Sequence, residues 1–115
     1  MRKRTTGVVL AVLVVVAAVA ALPVFAATPK FTGTVGPGFT ISMAKKPRKA
    51  GKITLVVNDK SSIHNFHLKG PGVNVKTSVG ATGIKSFKNL TLKKGKYTFV
   101  CDPHASTMKG SFTIK

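Results

Sequence analysis

One short stretch near the end of the chain combines three side chains that bind soft metal ions. Cys101, His104 and Met108 lie within eight residues and supply a thiol, an imidazole and a thioether. The segment before them, Tyr97 to Val100, alternates in polarity, which predicts a half-buried strand with Cys101 on its aromatic face. Thiolate and thioether ligands select copper, and imidazole also suits it. The stretch therefore predicts a copper site at the end of a strand.

Such a site needs a second histidine, and two candidates lie close together. His64 and His67 fall in an apolar segment that we predict to be a strand over residues 63–68. Residues three apart on a strand point to opposite faces, so the two histidines do not readily bind one metal ion. His64 shares its face with Phe66 and Leu68, and a shielded site favours the apolar face. We therefore expect His64 to be the ligand and His67 to be an ordinary strand or surface residue.

Asn65 follows the expected histidine ligand directly. We expect its amide to bond across to the backbone at Asp102 and so tie the His64 segment to the loop that follows Cys101. Hydrogen bonds of this kind orient ligands and tune the metal. The alternative is an exposed strand asparagine without such a role.

The first 26 residues have the pattern of a secretory signal. Basic residues at positions 2–4 precede an apolar run from Val8 to Leu22, and Val24-Phe25-Ala26 resembles a cleavage site. An uncleaved anchor is the alternative, although the run is shorter than the roughly 20 residues that span a bilayer. In either case we expect residues 27–115 to form one exported domain, periplasmic, extracellular or at the cell surface. A single cysteine in an exported protein calls for an explanation, and a metal thiolate is one.

The chain is strongly basic. Apart from residues 2–4 it contains 16 Lys and Arg against two Asp, a net charge of about +14. Such a field attracts anionic partners, and we expect an acidic redox protein, with contacts to an anionic membrane surface or cell-wall polymer also possible. Nucleic acid is disfavoured because the chain is exported and its lysines are dispersed. We expect a monomer.

Short alternating segments and frequent Gly and Pro predict an all-β fold, a β-sandwich of seven or eight strands. The segment from Lys49 to Val57 echoes that from Lys93 to Cys101, with Val57 in the place of the cysteine. The echo is consistent with one central strand in each sheet.

Taken together, Ser62 to Phe66 and the C-x2-H-x3-M stretch from Cys101 to Met108 resemble the cupredoxins, the small blue-copper proteins such as plastocyanin, amicyanin and azurin. The resemblance covers roughly residues 31–115. It implies a Greek-key β-sandwich that carries one mononuclear type 1 copper ion and transfers single electrons. It also implies a ligand set, namely His64, Cys101, His104 and Met108.

The resemblance and the site together lead to an expected function for the protein. His104 is the expected exit for the electron, with Pro71, Pro103 and Ala105 as an apolar docking patch around it. The protein is not expected to be an enzyme, because multicopper enzymes need more histidines than the three present. An extracytoplasmic copper carrier without electron transfer is the alternative function. A β-sandwich without metal remains a third possibility.

Overall fold

The computed structural model describes Gly7, residues 11–15 and residues 27–115. Most of the predicted secretory signal lies outside the described residues, and its cleavage stays a prediction. Within the described part of the chain, no helix has the length and apolar character needed to cross a membrane. A 3₁₀ turn covers Asp102–His104. The strands are β1 Lys30–Val35, β2 Ile41–Met43, β3 Gly51–Asp59, β4 His67–Gly70, β5 Val73–Lys76, β6 Gly83–Leu92, β7 Gly95–Val100 and β8 Lys109–Ile114.

These strands form two four-stranded sheets. One has the order β2-β1-β3-β6 and the other β5-β4-β7-β8. β1 pairs with β3 in parallel, and the other described pairs are antiparallel. Apolar side chains from both sheets, such as Leu55 and Phe99, are buried in one core. The predicted all-β sandwich is therefore confirmed.

β3 and β7 are inner strands of their two sheets, and each contains most of one half of the sequence echo. Val57 and Cys101, which occupy the same place in the echo, are both fully buried. The prediction of one such strand in each sheet is confirmed. Because β7 has β4 on one side and β8 on the other, the backbone that leads into Cys101 is hydrogen-bonded along both edges.

The strand predicted over residues 63–68 is wrong for its first four residues, since β4 begins at His67. Hydrogen bonds to the side chain and the backbone of Thr77 replace strand pairing there. The backbone N–H of Phe66 donates to the hydroxyl of Thr77 at 2.9 Å, and the Phe66 carbonyl accepts the Thr77 N–H at 3.0 Å. His64, Asn65 and Phe66 are consequently buried in succession instead of alternating between two faces.

Aromatic rings fill the core between the sheets. Phe66 stacks on Phe99 with the ring centroids 5.5 Å apart and the planes 8° from parallel. Gly110 on β8 lies under the Phe99 ring, and a Cβ added to this glycine would overlap the ring. The absence of a side chain at position 110 therefore allows the ring of Phe99, near the end of β7, to pack over β8.

Candidate metal centre

Cys101 and His104 are positioned by the end of β7 and the 3₁₀ turn that follows it. The backbone N–H of Cys101 donates to the Met108 carbonyl at 3.0 Å, and the N–H of Met108 donates to the His104 carbonyl at 2.8 Å. The His104 N–H donates to the Cys101 carbonyl, also at 3.0 Å. Pro103 lies in the first turn and restricts its φ. The loop is thus closed by its own backbone, and Cys101 and His104 project from it toward one point.

His64 reaches the same point from the segment between β3 and β4. Its Nδ1 lies 3.1 Å from Nδ1 of His104, and each of these nitrogens lies 3.6 Å from Sγ of Cys101. The circle through these three atoms has a radius of about 2.0 Å, close to the length of a metal–nitrogen bond and somewhat shorter than a metal–sulfur bond. A metal ion near the centre of the triangle would therefore touch all three.

The chemistry of these donors also fits a soft metal ion. His64 and Cys101 are fully buried and His104 is half-buried, and no carboxylate belongs to the cluster. Two imidazole nitrogens and a sulfur that face one another in a dry site repel through their lone pairs unless a proton or a cation lies between them. Imidazole and thiolate ligands suit copper, whereas magnesium and calcium prefer oxygen ligands. The residues present therefore fit a copper ion.

Met108 is the fourth residue of the expected ligand set. Its side chain is buried, with an exposed fraction of 1%, and its backbone closes the loop that carries His104. The hydrogen bond between the Cys101 N–H and the Met108 carbonyl places Met108 next to the site. Its role as a thioether ligand stays a prediction.

Asn65 joins the His64 segment to the loop after Cys101. Its Oδ1 accepts the backbone N–H of Asp102 at 2.8 Å, which is the bond expected from the sequence. Its Nδ2 donates to Oδ2 of Asp102 at 2.8 Å and to the Thr77 carbonyl at 3.2 Å. Asn65 is 1% exposed, so these bonds are shielded from water. They fix the relative positions of the two segments that contribute His64 and Cys101.

Asp102 is also bonded to His67, whose Nδ1 lies 2.8 Å from its Oδ1. Burial raises the pKa of Asp102, but the hydrogen bonds from Asn65 and His67 and the charge of Lys76 lower it by more, so the pKa lies below its ordinary value of 3.8. The stabilisation from these contacts is present above pH 3.8 and is lost as the pH falls through the lowered pKa. His67 thus takes part in the network around the loop and lies outside the His-Cys-His cluster.

Asp59 fixes the turn that leads from β3 to His64. Its Oδ1 accepts the backbone N–H of Ser61 at 2.9 Å. Burial raises the pKa of Asp59 by more than this bond and the charge of His64 lower it. Burial of this carboxylate in the turn before His64 therefore carries an electrostatic cost.

Phe39 was not identified from the sequence as part of the site. Its ring meets His64 and His104 edge-on, with centroid separations of 5.1 and 5.0 Å, yet 66% of the residue is exposed. In the sequence Phe39 alternates with Ile41 and Met43, which indicates only a core-facing strand residue. Its contact with the histidines depends on how the loop before β2 folds over the site. The alternation of polar and apolar residues in the sequence does not indicate such a contact.

Pro71 does not belong to the surface around His104, and that part of the predicted docking patch is wrong. Its carbonyl accepts the Tyr97 O–H at 2.7 Å, and its ring lies close to Gly95 at the start of β7. The site lies beyond the other end of that strand. Pro103 and Ala105 are exposed beside His104, and Phe39 takes the place expected for Pro71.

A family profile described as copper binding proteins, plastocyanin/azurin family, matches residues 34–115, which is more than half of the chain. The chain belongs to this family of copper-binding proteins. With the buried His-Cys-His cluster, membership supports one type 1 copper ion as the cofactor of this cupredoxin. Among solved structures, spinach plantacyanin is similar at 18% identity and a TM-score of 0.46, over 75% of this chain and 99% of that chain. A search of curated protein sequences found no match.

Proposed function

We propose that this cupredoxin carries single electrons between redox partners outside the cytoplasm, with its copper ion bound by His64, Cys101, His104 and Met108. The observation that supports the proposal is the convergence of one thiol sulfur and two imidazole nitrogens within 3.6 Å of one another in a buried site. Bound copper supplies a one-electron couple. The chain supplies ligands that are already in place, so that little of the protein has to move when the charge of the site changes.

His104 is the proposed route for the electron. It is half-buried on the loop, whereas His64 and Cys101 are fully buried, so its ring is the part of the cluster nearest to solvent. Phe39, Pro103 and Ala105 surround it with apolar surface on which a partner could dock. The excess of Lys and Arg favours an acidic partner, and the rate of electron transfer to such a partner should fall as ionic strength rises.

Two features of the chain argue against the alternative of copper carriage. A carrier benefits from additional accessible thioether or imidazole groups that pass the metal on. Met43, however, is buried in the core, and both ring nitrogens of His67 are engaged, at 2.8 Å from Asp102 and 2.6 Å from Asn74.

Export is supported by the basic and apolar pattern of residues 1–26. The three histidines of the sequence are fewer than multicopper enzymes need, so we propose no enzymatic role.

The test is a redox cycle of the full chain loaded with Cu(II). Ascorbate should bleach the protein and ferricyanide should restore its colour over repeated cycles, in the presence of a Cu(I) chelator that does not enter the buried site. Transfer of the copper to the chelator in the first reduction would instead support carriage. Failure of the bound copper to be reduced would contradict electron transfer.

A further inference from the structure

A basic groove of about 1010 Å³ lies away from the metal centre. Its wall includes Gly51, the first residue of β3, whereas the metal centre lies beyond Asp59, the last residue of that strand. At its Gly51 end the nine residues of β3 separate the groove from the metal centre by about 26 Å. At its other end Lys46 reaches the ring of Phe99, with its Nζ 5.9 Å from the ring centroid. The groove is therefore a second surface, distinct from the one around His104.

The lining of the groove carries positive charge only. Five exposed cations line it, and both acidic residues of the sequence, Asp59 and Asp102, lie elsewhere, near the metal centre. Five cations without a counter-charge attract anions and repel basic surfaces. The cations are Lys45, Lys46, Arg48, Lys49 and Lys52.

The groove also has an apolar floor. Phe31, Met43 and Ile53 contribute to it, and Nζ of Lys45 lies 6.0 Å from the centroid of the Phe31 ring. Long basic side chains that lie over apolar surface keep the charged group in water and bury the stem. The combination of cationic rim and apolar floor matches an anionic amphiphile better than a purely polar polyanion.

In the alternative of an uncleaved anchor, the connection to the N-terminal apolar run indicates where this surface lies. Pro29 lines the groove, and its carbonyl accepts the N–H of Thr54 at 2.9 Å. Six residues separate Pro29 from Leu22, the end of the apolar run, and seven extended steps span at most about 25 Å. A chain that retains the run in a membrane therefore keeps the groove close to the lipid headgroups.

We propose that this groove docks on a membrane surface rich in anionic phospholipids. The cations contact lipid phosphates, and the apolar floor contacts the glycerol and upper acyl region. The metal centre then lies away from the membrane, where a redox partner can reach it. The proposal does not depend on copper, because none of the groove residues belongs to the metal centre.

The test is co-sedimentation of the full chain with vesicles of phosphatidylcholine alone and with about one third phosphatidylglycerol. The groove variant is Lys45→Gln, Lys46→Gln and Lys49→Gln. The control variant, Lys60→Gln, Lys85→Gln and Lys109→Gln, removes the same charge from exposed positions outside the groove. Residues 1–26 are common to all three chains, so their contribution cancels.

The ratio of binding to anionic over neutral vesicles should fall roughly a hundredfold in the groove variant, and it should fall much less in the control variant. Equal losses in both variants would contradict the proposal and indicate a diffuse charge effect. Soluble polyphosphate, tested at the same phosphate concentration, separates lipid from polyanion. If polyphosphate binds the unchanged chain as tightly as the vesicles do and is equally sensitive to the groove variant, the lipid proposal is wrong.

Discussion

Asn65 is the residue through which three segments near the metal centre are connected. Its buried amide bonds to the backbone and carboxylate of Asp102 and to the carbonyl of Thr77. Thr77 in turn bonds to the backbone of Phe66. A buried amide whose bonds are satisfied costs little, whereas loss of that amide leaves its former partners without a bond.

Replacing Asn65 by Ala should lower the free energy of unfolding by about 1–3 kcal/mol, because buried partners lose their hydrogen bonds. Copper affinity should fall by about tenfold to a hundredfold, because the loop and the His64 segment are no longer tied. Denaturant unfolding and a competition titration with a copper chelator measure the two effects. Asn74→Ala, which removes an exposed amide bonded to His67, is the control. Equal effects in both variants would show that Asn65 has no special role.

Met108→Leu tests the proposed fourth ligand. The substitution nearly conserves volume, so we expect the fold to persist with a loss below about 1.5 kcal/mol. The reduction potential and the balance of the visible absorption bands should change, because the axial ligand tunes a site of this type. Met43→Leu, a similar change in the core away from the site, is the control. An unchanged spectrum and potential would remove Met108 from the ligand set.

The place of a residue in the site could be predicted from the sequence when its contacts are with residues nearby in the chain. Cys101 and His104 are three positions apart, so their convergence follows from a short turn. His64 was predicted to join them on the basis of strand parity, but the segment around it is not a strand. Phe39 and Pro71 were misjudged because their positions depend on loops that close against distant strands.

At the scale of elements, β7 positions the site by packing aromatic rings against a neighbouring strand. Phe99 lies two residues before Cys101 and shares its buried face. Gly110 on β8 pairs with Phe99 and leaves the space that its ring occupies. The ring also stacks on Phe66, so it cannot move away from β8 without disturbing the core.

Gly110→Ala should therefore destabilise the fold by about 1–3 kcal/mol, the usual cost of an overpacked core. Thermal or denaturant unfolding measures the change. Gly80→Ala adds the same methyl group where no atom lies within 4 Å, and we expect little effect. A stability of Gly110→Ala equal to that of Gly80→Ala would show that the Phe99 ring adapts freely.

The strands that could be predicted are those with a clear alternation of buried and exposed residues. Each of the two echoed segments contains most of one strand, β3 or β7. The segment before β4 also looked like a strand because His64, Phe66 and Leu68 alternate. Its backbone instead forms hydrogen bonds with Thr77. The amino-acid composition of the segment does not indicate that these bonds replace sheet pairing.

At the scale of the whole molecule, charge is distributed unevenly. The two acidic residues lie near the metal centre, and a group of five cations surrounds the groove at the start of β3. The net charge predicted anionic partners but not their location, since lysines are dispersed along the sequence. Only the folded chain shows which of them share a surface.

The most direct measurement is the visible spectrum of the full chain after addition of Cu(II). The account predicts an intense charge-transfer band from the Cys101 thiolate to copper, because the sulfur and two imidazole nitrogens already converge in a buried site. The band should vanish in Cys101→Ser, a variant of nearly the same size. A colourless copper complex of the unchanged chain, or a band that persists in Cys101→Ser, would contradict the His64-Cys101-His104 site.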